Sequence, residues 1–242
     1  MPEVPLIYLH GWGLHGGIWN ETAAQIPGLA PDLPGYGDNT MVQPYTAEAL
    51  ADAVAATLPT AVNVCGWSLG GMVALALAAR HPDKVARLVL VATSPAFVQR
   101  EDWSHALTPE VLAEFSRSLK QDYKATLLRF LSLQARGGDQ AREVIERLRG
   151  SVLQRAQPAP ETVAAGLELL RDVDLRGQVK QVVCPTLVVH GAYDMLCPFV
   201  AGRWLAENLP NARLAAHDRA AHAPFLSHPA WFVAELKRFL TT

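Results

Sequence analysis

The chain has 242 residues, half of them hydrophobic, enough to bury one domain with a substantial core. A formal charge of −2 and a pI near 6.4 leave no chain-wide basic field, which argues against a nucleic-acid partner. Cys65, Cys184 and Cys197 show neither CxxC spacing nor paired histidines, so no disulfide framework, metal or cofactor is expected, and no apolar run reaches the roughly 18 residues of a membrane span. Met1 leads into PEVPLIYLHGWG without the features of a secretory signal, so a cytoplasmic monomer with no membrane attachment is expected.

Short apolar runs followed by turn residues alternate with longer helical patterns, the mark of parallel strands joined by crossover helices. The predicted strands are Leu6–Leu9, Leu29–Asp32, Ala61–Gly66, Leu88–Ala92, Thr186–His190 and Arg213–Ala216. In an α/β sheet of this kind ligands bind beyond the carboxyl ends of strands, so chemistry is expected just past each run. His10-Gly11-Trp12-Gly13 follows the first run and matches an H-G-x-G loop whose backbone N–H, here that of Trp12, stabilises an oxyanion. The Trp12 indole either walls an acyl pocket or packs beneath neighbouring helices, and the sequence leaves both open. After the second run, Asp32-Leu33-Pro34-Gly35-Tyr36-Gly37 reads as a structural turn.

Past the third run comes Gly66-Trp67-Ser68-Leu69-Gly70, a G-x-S-x-G pattern between an apolar strand and a strongly helical stretch. That placement predicts a sharp strand-to-helix turn that pushes the Ser68 hydroxyl clear of the backbone, with glycines where a Cβ would clash. The following helix aims its first N–H groups at the site, so the Leu69 N–H is the other oxyanion donor. A glycine-rich turn in which the serine merely caps the helix is the alternative.

From residue 97 to 176 the alternation stops. EVLAEFSRSLK, DYKATLLRFLSLQ, AREVIERLRG and PETVAAGLELLRD are all helical in period, with Gln154–Pro160 as a loop. A helical insertion ending beside the strand termini is expected to roof the site as a lid, leaving residues 1–96 and 177–242 as the core domain.

A serine nucleophile needs a histidine base and an acid in the chain order Ser, Asp/Glu, His. Asp194 follows the Thr186–His190 run and His222 follows the last one, so both are placed at the carboxyl edge of the sheet. His81, His190 and His228 read as structural, His217 is the rival base, and Asp218 is a weaker rival acid only four residues before His222. The acid's role is to hold the imidazole tautomer and stabilise the imidazolium.

LHGWGLHGGIW, DLPGYG, GWSLGGMVA, VATSPAF, RFLSLQ, GLELLRDVDLR and AAHAPFLSHPAWF, in this order over nearly the whole chain, resemble the pimeloyl-acyl-carrier-protein methyl ester esterases of biotin synthesis. The resemblance implies an α/β-hydrolase fold and hydrolysis of a methyl ester carried on acyl carrier protein. It puts the triad on Ser68, Asp194 and His222, the oxyanion donors on Trp12 and Leu69, and substrate-lining positions on Phe130, Leu131, Ser132, Leu133 and Gln134. Lid arginines that meet the carrier protein in the family correspond to Arg129 and Arg142. Ala125 and Glu146 stand where further arginines belong, with Lys124 and Arg147 beside them. The leading hairpin usual in the fold is expected to be short or absent, and the IPGLAPDLPG connection compressed.

Charge points the same way independently. Between Arg117 and Arg155 nine Lys/Arg face four Asp/Glu, a local excess of five positive charges in a chain of net −2. A basic lid would steer an acidic partner toward the pocket mouth; a solvated helical face rich in arginine is the alternative. A general carboxylesterase or lactonase with the same triad, and more distantly a non-catalytic binding protein, are the competing readings.

Overall fold

The computed structural model describes residues 4–153 and 158–241, apart from the side chains of Lys120, Tyr123, Lys124 and Leu153. Most of the expected Gln154–Pro160 loop therefore lies outside the described residues. Five strands form one sheet: β1 (Leu6–Leu9), β2 (Val62–Trp67), β3 (Val85–Val91), β4 (Thr186–Gly191) and β5 (Ala212–His217). They lie side by side in chain order, and every pairing is parallel. The helices are α1 (Asn20–Ala23), α2 (Ala47–Thr57), α3 (Leu69–Arg80), α4 (Pro109–Gln121), α5 (Tyr123–Ala135), α6 (Ala141–Leu153), α7 (Pro160–Asp172), α8 (Phe199–Asn208), α9 (Pro224–Ser227) and α10 (Pro229–Thr241).

The strands are apolar runs rather than alternations because both faces of the sheet are covered. Their period of two still sorts the side chains. Ile7, Leu9, Val64, Leu88, Leu90 and Val188 join α2 and α3 in one apolar cluster. Tyr8, Cys65, Trp67, Val89, Val91 and Val189 join Trp19, Phe225 and Phe232 in another on the opposite face. Trp19 ties the second cluster together, stacking on Tyr8 at 5.2 Å and on Phe225 at 4.2 Å between ring centroids. Helix α3 is apolar all round, and it is buried from Leu69 to Ala79 between the sheet and α2.

The expected strand Leu29–Asp32 is a correction. Leu29 makes a single parallel bridge to Ile7, with Tyr8 N–H donating to Leu29 O and Leu29 N–H to Leu6 O, both at 2.8 Å. Pro31 has no N–H to extend that ladder. Helices α4 to α7 reproduce the four periodic segments between β3 and β4. Among the described residues, no helix is long and apolar enough to cross a membrane.

Candidate active site

Because the strands are parallel, the turns after β2, β4 and β5 emerge at one edge of the sheet. Ser68 ends β2 and starts α3 at φ 55 and ψ −119, a left-handed conformation that a residue with a Cβ adopts only under strain. Its neighbours hold it there. Ser68 N–H donates to Val91 O at 3.0 Å, and Thr93 Oγ1 donates to Ser68 O at 2.8 Å. The glycines of the motif make the turn possible. A Cβ on Gly66 would lie 2.2 Å from Gly70 O, and one on Gly70 would lie 2.4 Å from Leu9 O and 2.6 Å from His10 O. Those neighbours are backbone atoms and cannot swing aside. Gly70→Ala is therefore expected to cost about 1–3 kcal/mol and to lower Tm by several degrees, measurable by differential scanning calorimetry.

Asp194 sits in the turn after β4, 5 % exposed, and is held from both carboxylate oxygens. Leu196 and Cys197 N–H donate to Oδ1 at 2.9 Å each, and His222 Nδ1–H donates to Oδ2 at 2.8 Å. Burial works against the ionised carboxyl. Attraction to His222 and the hydrogen bonds from His190 and His222 outweigh it and hold Asp194 well below its ordinary range.

The main chain of His222 is anchored on both sides. Trp67 Nε1–H donates to its carbonyl at 2.8 Å, and its own N–H donates to Gln134 O of α5 at 3.0 Å. With Nδ1 committed to Asp194, Nε2 is the nitrogen left to take a proton, and it is buried without a partner among the described residues. A buried unsatisfied nitrogen costs about 1–3 kcal/mol and is retained where chemistry uses it. No hydrogen bond joins it to Ser68 Oγ among the described residues; nucleophile–base contacts of this kind are often long until the Michaelis complex forms.

The two rivals to this pair lie elsewhere. His217 lies against His228 at 3.8 Å and meets Trp231 edge-on at 4.8 Å, and the Asp218 side chain is 92 % exposed.

The loop after β1 is tied down by His10. Leu33 N–H donates to its Nε2 at 2.9 Å, which leaves Nδ1–H to donate to Gly11 O at 2.9 Å. Tyr36 OH accepts from Gly13 N–H at 3.2 Å, so the D-x-P-G-x-G turn buttresses the loop after β1. The N–H groups of Trp12 and Leu69 have no acceptor among the described residues. The Trp12 indole packs beneath α5 and α7. Its Nε1–H donates to Val163 O of α7 at 2.9 Å, and Phe130 meets it edge-on at 4.8 Å.

The five expected lining positions are not brought together, since consecutive helical residues point about 100° apart. Phe130 and Leu133 face the cluster around Trp12, while Leu131 packs in the cluster around Trp67. Ser132 Oγ donates back to Leu128 O at 2.9 Å, and Gln134 supplies a carbonyl to His222 and keeps a buried, unpartnered Oε1.

The arginines expected to meet a carrier protein are partly neutralised. Arg129 pairs with Glu114 at 2.8 Å, and Arg147 with Glu21 at 3.2 Å while also donating to Leu226 O. Arg142 is 88 % exposed but shares its charge with Glu146 at 3.2 Å. Lys124 is the second residue of α5, and its side chain lies outside the described residues.

Sequence reasoning missed Trp67, Thr93 and His190 as neighbours of the triad. A bulky residue between the glycine and serine of the motif is the one local signal, since strand alternation turns Trp67 toward the face where His222 arrives.

Residues 6–235 match the Alpha/beta hydrolase family. The chain is 43 % identical over 245 residues to the pimeloyl-[acyl-carrier protein] methyl ester esterase of Chromobacterium violaceum, covering all of this chain and 95 % of that protein. It is 46 % identical to the protein of the same name from Aromatoleum aromaticum, over 95 % of each. Among solved structures, an esterase from Exiguobacterium antarcticum superposes with a TM-score of 0.89 at 23 % identity, over 99 % of this chain and 92 % of that one. The enol-lactonase of Burkholderia xenovorans superposes with a TM-score of 0.81 at 25 % identity, over 99 % and 92 %. The chain belongs to the alpha/beta hydrolase family and, within it, to the pimeloyl-[acyl-carrier protein] methyl ester esterases.

Proposed function

We propose that the chain hydrolyses the methyl ester of pimeloyl-[acyl-carrier protein] in biotin synthesis, with Ser68 as nucleophile, His222 as base and Asp194 as the orienting acid. The observation that carries the chemistry is the buried His222, with Nδ1 on Asp194 and an uncommitted Nε2, at the sheet edge that bears the strained Ser68 turn. Ser68 Oγ attacks the ester carbonyl as its proton passes to His222 Nε2. The N–H groups of Trp12 and Leu69 hold the tetrahedral oxyanion. Collapse expels methoxide, which leaves as methanol with the proton from His222. A water deprotonated by the same nitrogen then attacks the acyl-serine, and Ser68 leaves with that proton to free the carboxylic acid.

Residues 97–176 act as the lid over a core of 1–96 and 177–242, a reading supported by the contacts of α5 and α7 with Trp12 and His222. The enzyme works as a cytoplasmic monomer that meets its carrier at this lid. Purified protein should cleave methyl pimeloyl-carrier protein with a kcat/KM well above that for free methyl pimelate. Equal values would instead favour a general carboxylesterase.

The lid charges give a second test. Arg142→Glu should raise KM for the carrier-borne ester about three- to tenfold at low salt, while Glu146→Gln, which frees Arg142, should lower it. Neither should change hydrolysis of p-nitrophenyl acetate.

A further inference from the structure

We infer that His190 is a positioning residue for the catalytic acid, a reading that rests on the triad proposed above. His190 is the penultimate residue of β4, four residues before Asp194, and is fully buried. The turn after β4 folds its ring back onto the carboxylate, with Nε2 3.4 Å from Asp194 Oδ2 and 2.7 Å from Cys197 O. A carbonyl only accepts, so the hydrogen sits on Nε2, where it is shared with the carboxylate behind it. Nδ1 is buried without a partner among the described residues, against Gly202 of α8, where a Cβ would lie 2.3 Å away. The ring's one hydrogen bond to a carbonyl is therefore made by the tautomer with its hydrogen on Nε2.

Asp194 Oδ2 thus lies between two imidazoles that do different things. His222 Nδ1 binds it at 2.8 Å and exchanges its proton at the far nitrogen during the reaction. His190 keeps its hydrogen on the nitrogen that faces the carboxylate and the Cys197 carbonyl. Its N–H dipole withdraws part of the negative charge from Oδ2, and by gripping Cys197 O it fixes the turn whose Leu196 and Cys197 N–H groups hold Oδ1. The groups packed around His190 are Asp194, His222 across the carboxylate, the Cys197 thiol, pushed up by burial, and the ring of Phe199 at 6.1 Å. Apart from the triad pair, none of them carries a charge.

Removing the His190 N–H leaves more negative charge facing His222. It should therefore shift the acid limb of the kcat/KM profile to higher pH and lower the plateau roughly ten- to hundredfold, the scale of one hydrogen bond to a charged group. His190→Phe tests this on p-nitrophenyl acetate, and His190→Gln, whose amide can reach the same acceptors, should recover most of the plateau and return the limb toward wild type. A purely packing role would lower stability without moving the limb. Should His190→Phe fail to fold, nitrogen-15 NMR of the wild-type enzyme decides: His190 must carry its hydrogen on Nε2. A folded His190→Phe with wild-type plateau and limb, or a wild-type His190 carrying its hydrogen on Nδ1, overturns the inference. Ser68→Ala run in parallel separates the two readings, because activity there within tenfold of wild type would sink the triad itself.

Discussion

Ser68→Ala is expected to lower kcat/KM for ester hydrolysis by about five to six orders of magnitude while leaving the fold and carrier binding intact. The hydroxyl makes no hydrogen bond among the described residues, so its loss strands no buried partner. Alanine keeps the Cβ, and with it the same backbone strain at φ 55. What remains is the slow attack of water on an ester still polarised by the Trp12 and Leu69 N–H groups. Ser68→Gly should be as inactive but more stable than Ser68→Ala by about 1–2 kcal/mol, because glycine adopts this conformation without the penalty. Steady-state kinetics on p-nitrophenyl acetate and thermal melts of the two variants check both halves. Activity of Ser68→Ala within tenfold of wild type would reject Ser68 as nucleophile.

The features legible from sequence are those whose geometry is local. Gly66, Ser68 and Gly70 span five residues, and the reason for each glycine is a backbone atom in the same turn or in the strand beside it. Asp194 and His222 were legible because a parallel sheet puts every strand end on one edge, so position after a strand stands in for proximity. Leu29–Asp32 was misread because LAPD is apolar enough for a strand, while Pro31 denies it a ladder. Phe130 to Gln134 came over from the family as a block, yet a helix splits consecutive residues between two apolar clusters. His190 looked like a strand-end core histidine because sequence distance does not say where a turn sends a ring. Its approach to Asp194 depends on the fold of Gly191–Asp194, where Asp194 N–H donates to Gly191 O at 3.3 Å and Tyr193 N–H to Ala220 O at 3.0 Å. Tertiary contacts of that kind leave no periodic trace in the chain.

Asp194→Asn is expected to reduce kcat/KM by about four orders of magnitude with little change in KM. Its Oδ1 position faces two backbone donors, Leu196 and Cys197 N–H, so the amide oxygen must take that place and the NH2 group must face His222. His222 Nδ1 then becomes an acceptor, its hydrogen moves to Nε2, and the nitrogen that should receive the Ser68 proton is already occupied. The substitution also changes the response to acid. The Asp194 carboxyl is held below its ordinary range in the folded chain, so the unfolded chain binds a proton there first as pH falls. Its contribution to stability is complete above the ordinary carboxylate range and is lost as pH drops toward the folded value. Asparagine does not titrate, so the fall in Tm between about pH 5 and pH 3 should be shallower in the variant than in the wild type. An Asp194→Asn enzyme with wild-type turnover, or with an unchanged acid slope of Tm, would mean that the buried carboxylate neither orients His222 nor contributes its charge to the fold.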